Sequence, residues 1–230
     1  MRRPLEKLLL VCTVSILLAA CQAVPQVPGT LGPNAIPSSS VEALPAASTP
    51  MPQGLPERDP PPGFVSFCMR FDDQCSSPTS EPAVLQLNPQ TWSELAAVNS
   101  SVNAAIWPED DQRHYGSGEF WTIPTDGYGD CEDYALTKRK LLANAGIPKR
   151  ALRMAVVVTQ RNNRHAVLTV ATDQGDYVLD NESDGIQPWY KTGYSWIARQ
   201  DTKNDWGWVA LNDTPTQIAT ATAASETLKK

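Results

Sequence analysis

The chain has 230 residues, of which 41% are hydrophobic and 19% charged, and a formal net charge of −6. It has no Lys/Arg run of the kind that grips a phosphate backbone, so nucleic acid is excluded as a partner class. The acidic balance suits a solvated extracytoplasmic protein or one that holds a cation.

At the N-terminus, Arg2, Arg3 and Lys7 precede an apolar run from Leu8 to Ala20. That run is short of the ~20 apolar residues a spanning helix needs and fits the core of a secretory signal. Its end, Leu18-Ala19-Ala20-Cys21, resembles a bacterial lipoprotein box. The resemblance implies loss of residues 1–20 and a lipid on Cys21, and Gln22 in place of Asp implies an outer-membrane address. The alternative is an ordinary signal cut near Ala23, with Cys21 incidental. Both predict a periplasmic protein. Loss of residues 1–20 removes Arg2, Arg3, Lys7 and Glu6, which leaves 16 basic and 24 acidic residues and a charge of −8.

Residues 21–62 hold eleven of the twenty prolines, with Ser, Ala and Gly between them, and read as an extended disordered tether. A single folded domain is expected over residues 63–213, and a loose Thr/Ala-rich tail over 214–230. Cys68 and Cys75 flank a short polar segment and read as a disulfide worth roughly 2–3 kcal/mol. Free thiols or a metal pair are the alternatives, but no second Cys/His pair is present to complete a zinc site.

Asn88-Pro89 is a helix-start signal, and Trp92, Leu95, Ala96, Val102 and Ile106 recur at helical spacing until Pro108. Residues 109–129 read as an ordered loop. A second helix is predicted from Asp130 to Ala145, ended by Gly146 and Pro148. Strands follow at Leu152–Thr159, His165–Thr172 and Asp176–Leu179, the last two joined through Asp173-Gln174-Gly175 as a hairpin. Ser195–Arg199 and Trp208–Leu211 are further strand candidates. Helices first and an antiparallel sheet after them make an α+β domain.

Of the five cysteines, only Cys131 has no obvious covalent fate, since Cys12 lies in the segment to be removed. Cys131 opens the second helix, where unpaired backbone N–H groups and the macrodipole favour a thiolate. His165 starts one strand of the hairpin and Asp180 ends its partner. The offset between them is within what a bulge or a twisted end absorbs. A thiol, an imidazole and an orienting carboxylate form the machinery of nucleophilic acyl transfer. The Cys131 backbone N–H and the Trp121 indole are candidate donors to the oxyanion. His114 competes with His165 but lacks a carboxylate at ribbon spacing, and the alternative for Asp180 is a strand-end turn residue, as for Asp184.

Trp121-Thr122-Ile123-Pro124, Gly129-Asp130-Cys131-Glu132-Asp133-Tyr134-Ala135, His165-Ala166-Val167-Leu168 and Tyr177-Val178-Leu179-Asp180-Asn181 together resemble the bacterial transglutaminase-like cysteine proteinases, of the wider papain-like and transglutaminase-like group. The resemblance covers about residues 64–200 and includes Asn99 and Asn103 ahead of Tyr115-Gly116. It implies a papain-like or transglutaminase-like domain and the triad Cys131, His165 and Asp180. It also implies a Ca²⁺ site at the carboxylates of Asp130 and Glu132, with Asp133 a third candidate, and a protein substrate such as a surface adhesin. Carboxylates in one helical turn offer the hard oxygens Ca²⁺ prefers, although Asp and Glu also favour a first turn without metal.

The leading function is therefore an extracytoplasmic cysteine protease working through a thioester. Transglutaminase- or amidase-type acyl transfer on peptide or cell-wall substrates uses the same acyl-enzyme. A non-catalytic tethered peptide-binding module is the third reading.

Overall fold

The computed structural model describes residues 44–53, 55–201 and 203–211. The signal segment, Cys21 and the whole tail expected over 214–230 lie outside the described residues. Among the described residues no helix is long and apolar enough to cross a membrane.

In chain order the elements are β1 (Glu57–Arg58), α1 (Pro62–Arg70), α2 (Pro89–Ala105), β2 (Trp107–Pro108), α3 (Asp111–His114), β3 (Tyr128–Gly129) and α4 (Cys131–Asn144). Then come β4 (Leu152–Val158), β5 (Arg164–Thr172), β6 (Gly175–Leu179), β7 (Gln187–Pro188), β8 (Ser195–Gln200) and β9 (Trp208–Ala210). Seven strands form one antiparallel sheet in the order β1-β9-β8-β4-β5-β6-β7. β2 and β3 form a separate parallel pair. The domain is thus α+β, with the helices first.

The helix starts follow from local chemistry. The Asn88 side chain accepts from the N–H groups of Gln90 and Thr91 at 3.0 Å, and Thr91 Oγ1 accepts from the Asn88 N–H at 2.9 Å. This reciprocal cap, with Pro89 at the first helical position, fixes where α2 begins. α4 begins differently. Asp130 occupies its N-cap position, yet its carboxylate makes no capping hydrogen bond.

One face of the sheet buries Met154, Leu168, Val170, Tyr177 and Leu179 against Phe64, Leu95, Leu136 and Leu142 of the helices. The other face buries Val157, Val167, Val178 and Trp196 against Met51 and Trp189. β5 is consequently buried along nearly its whole length. Cys68 and Cys75 are joined as a disulfide with Cα atoms 5.4 Å apart, which ties α1 to the turn after it.

Residues 44–62 depart from the expected loose tether. Ser48 N donates to Gln174 O at 2.7 Å, Met51 N to Asp176 Oδ2 at 2.7 Å, and Trp189 Nε1 to Thr49 O at 2.8 Å. Arg199 Nη2 donates to Pro52 O at 2.8 Å. Met51, 2% exposed, supplies the apolar anchor. Gly175, at φ +101, leaves no room for a Cβ, which would come within 2.4 Å of Ser48 C. Proline stiffens an extended segment and so reduces the entropy lost when it docks. The folded unit therefore begins well before residue 63, and β1 and α1 are elements that the proline-rich composition hid. The loop expected over 109–129 contains α3 and β3.

Candidate active site

A cleft of about 600 Å³ lies where the N-terminus of α4 meets the sheet, and Cys131, His165, Trp121, Asp130 and Glu132 all line it. Val156, Ile197 and Ala198 line it from β4 and β8. The β4–β8 register shifts at Val156/Val157, so the sheet is irregular beside the cleft.

β5 and β6 bring the histidine and the aspartate together. The last paired residues are Leu168 and Leu179, and continuing that register sets Asp180 opposite Val167, one diagonal step from His165. His165 Nε2 and Asp180 Oδ1 are 2.8 Å apart, with both residues buried. The offset is thus spanned diagonally, and no bulge interrupts the β5–β6 ladder. Asp180 is further held by Tyr194, whose hydroxyl donates to Oδ2 at 2.6 Å, and by the Glu182 N–H, 3.0 Å from Oδ1. Asn103 Nδ2 donates to the Asp180 carbonyl at 2.9 Å and anchors the strand end to α2. Burial alone would raise the Asp180 pKa, but the bonds from His165, Tyr194 and Glu182 outweigh it and hold the carboxyl below its ordinary range.

Cys131 is half-buried and unpaired. Its Sγ lies 3.3 Å from the Ala166 N–H, which donates to it, and 3.1 Å from Glu132 Oε2. The thiol thus sits against the residue following His165. With Nε2 engaged by Asp180, Nδ1 is the ring nitrogen left for a thiol. Burial, and then the Glu132 charge, push the Cys131 thiol well up from its ordinary value. This opposes the helix-terminus effect expected from sequence. Burial of the sulfur outweighs the dipole, and the carboxylates beside it add to the shift.

Those carboxylates are unusual. Asp111, Asp130 and Asp133 each offer an oxygen, all within 4.8 Å of one another, and Asp130, Cys131 and Glu132 form a second such group. Asp111 Oδ1, Asp130 Oδ1 and Asp133 Oδ2 are buried without a hydrogen-bond partner. Asp133 Oδ1 accepts from the Thr122 N–H at 2.8 Å, and Asp111 Oδ2 accepts from the Phe120 N–H. A Cβ on Gly129 would come within 2.7 Å of Asp133 Oδ2, so only glycine admits that carboxylate. Burial raises three of these carboxyls: Asp133 to about 8, Asp130 to about 6 and Glu132 to about 9, and the Asp130 charge adds to the rise at Glu132.

Trp121 is 2% exposed, and its indole N–H donates to Glu119 Oε2 at 3.0 Å, so that donor is already engaged. His114 does have a carboxylate partner, Asp126, at 2.8 Å, but it does not line the cleft that holds Cys131. Asp184 meets Asn103 Nδ2 at 3.2 Å in the loop after β6. Sequence reasoning missed Asp111 and Tyr194. The Asp110-Asp111 pair inside a loop read as ordered was a faint signal for the first, and nothing marked the second.

Residues 56–216 match the family described as bacterial transglutaminase-like cysteine proteinase. Among solved structures, EGTA-treated Legionella pneumophila LapG is 23% identical, with a TM-score of 0.46 over 65% of this chain and 76% of that one. Calcium-bound Legionella pneumophila LapG is 22% identical, with a TM-score of 0.45 over 64% and 78%. A third Legionella pneumophila LapG structure is 22% identical, with a TM-score of 0.46 over 70% and 83%. No curated protein matches. The family match spans more than half of the sequence, and the chain belongs to the bacterial transglutaminase-like cysteine proteinases as a cysteine peptidase of transglutaminase-like type.

Proposed function

We propose that Cys131, His165 and Asp180 form the catalytic triad of an extracytoplasmic protease that cleaves a periplasmic or surface protein, with a surface adhesin as the substrate type. The observation that carries this reading is the buried 2.8 Å His165–Asp180 pair, whose histidine lines the same cleft as the unpaired thiol. Cys131 Sγ gives its proton to His165 and attacks the scissile carbonyl carbon. The tetrahedral oxyanion takes the backbone N–H of Cys131 as its donor. Collapse breaks the C–N bond, the imidazolium protonates the leaving amine, and a thioester remains. Water, deprotonated by His165, then hydrolyses the thioester and restores the thiol. Asp180 keeps the ring oriented and stabilises its charged form throughout.

Asp111, Asp130 and Asp133 are the residues that would hold Ca²⁺, with Glu132 adjoining. Their partnerless buried oxygens fit a hard dication better than they fit helix capping, which would leave them exposed. A bound dication would offset the negative charge that now raises the thiol. Lipidation at Cys21 would attach this domain to the outer membrane from the periplasmic side.

The test is incubation of the purified protein, with calcium, with an outer-membrane and periplasmic protein extract, followed by mass mapping of new N-termini. Wild type is expected to generate new termini that Cys131→Ala does not. Identical maps would refute protease function. Incorporation of a labelled amine in place of new termini would mark acyl transfer instead.

A further inference from the structure

The cleft carries charge at both ends that the triad does not use. Arg58 stands on β1 and Arg164 at the start of β5, and both line the cleft and are exposed. Neither makes an ion pair within 4.0 Å among the described residues, although Asp59 is adjacent to Arg58 in sequence. Between them the sheet runs β1-β9-β8-β4-β5, four strand spacings or roughly 19 Å across, and the ladder sets Arg58 in the row of Leu168, four residues or roughly 13 Å along β5 from Arg164, so the two stand roughly 23 Å apart. An extended peptide rises roughly 3.3 Å per residue, so about seven residues cover that span. The floor between the ends includes Val156, Ile197 and Ala198, which offer no charge. Three further carboxylates line the cleft: Glu119, which accepts from the Trp121 indole, and Asp130 and Glu132, which stand beside Cys131. A guanidinium held open at each end of a peptide-sized groove is matched by a carboxylate, which it can bind in bidentate fashion.

We propose that Arg58 and Arg164 are specificity determinants that select an extended substrate segment bearing two acidic side chains about seven residues apart, the one at Arg164 lying beside the scissile bond. This rests on the protease reading for the scissile bond itself, but the binding preference can be measured without turnover.

The test uses the Cys131→Ala full chain and fluorescent decapeptide pools of randomised neutral sequence. One pool carries two Glu seven positions apart, a second has Gln at those positions and a third Lys. The Glu pool is expected to bind about fivefold tighter than the Gln pool for each arginine engaged, and the preference should shrink with added salt. Arg58→Glu and Arg164→Glu should each remove one step of that preference, and the double variant should favour the Lys pool. Arg58→Gln and Arg164→Gln should lose the preference without inverting it. Equal binding of the Glu and Gln pools, or a preference unchanged in the four single variants, overturns the proposal. A preference that behaves as expected in a protein whose wild type cleaves nothing would refute the protease reading and leave the acidic-peptide site standing.

Discussion

The two sides of Cys131 are built on opposite principles. On the sheet side, His165, Asp180 and Tyr194 form a closed network in which both Asp180 oxygens are matched. On the loop side, Asp111, Asp130 and Asp133 each bury an oxygen with no partner, and Glu132 adds a fourth carboxylate against the sulfur. The polypeptide alone completes the first side. The second stays electrostatically unfinished until protons or a cation supply the missing charge. Buried polar groups without partners are expensive, so a site that keeps several of them is arranged for something that arrives.

Substitutions on the two sides should therefore differ in sign as well as in size. His165→Ala should lower kcat/KM about a thousandfold, the range expected when a general base is removed, in a peptide-cleavage assay. Asp180→Asn should follow at about a hundredfold. It should also lower the unfolding free energy by about 3 kcal/mol in urea titration, because it leaves a buried partner unmatched. Asp133→Asn should do the reverse to the metal-free protein and raise its Tm, since it removes surplus buried charge yet keeps an acceptor for the Thr122 N–H. The same variant should bind calcium at least about a hundredfold more weakly by isothermal titration. A fall in metal-free Tm with Asp133→Asn would erase the contrast between the two sides.

A pH profile of stability sharpens the comparison further. Asp133 has its folded pKa raised to about 8 by burial, above the ~3.9 of an unfolded chain. The folded state therefore binds its proton more tightly. The stability this contributes is complete below pH ~4 and is lost as pH climbs through about 8. Glu132 and Asp130, also raised, act in the same direction. Asp180, held low, contributes with the opposite sign, and its stabilisation disappears only in acid. In EGTA the Tm should thus fall from pH 6 to pH 9, and saturating calcium should flatten that slope in differential scanning calorimetry. The smallest expected effect is Tyr194→Phe, which leaves Asp180 Oδ2 short of one donor. It should cost about fivefold in kcat, with calcium affinity unchanged.

Much of the sheet side was legible in the sequence. The Asn88-Pro89 cap, the periodicity of α2 and α4, and the Asp173-Gln174-Gly175 turn locate the elements that carry Cys131, His165 and Asp180. Local signals suffice there because a hairpin sets its own register. The loop side was harder to read. Asp111 reaches Asp130 and Asp133 through a loop whose path no periodicity encodes. Tyr194 reaches Asp180 from beyond β7, a contact that only the folded sheet creates. Residues 44–53 and 55–62 fall within the 21–62 segment that composition marks as a tether, because it holds too little apolar content to fold alone. Their stability comes from docking on a sheet face that would otherwise expose Val157, Val167 and Trp196.

The central claim is that burial and the carboxylate neighbours together hold the sulfur of Cys131 neutral, and that a dication offsets the carboxylates' share. The rate of iodoacetamide addition to Cys131, followed by mass mapping from pH 5 to pH 10 in EGTA and in calcium, tests it most directly. The account predicts that calcium moves half-maximal reactivity to distinctly lower pH, and that Asp130→Ala abolishes the movement. Superimposable curves with and without calcium would contradict it.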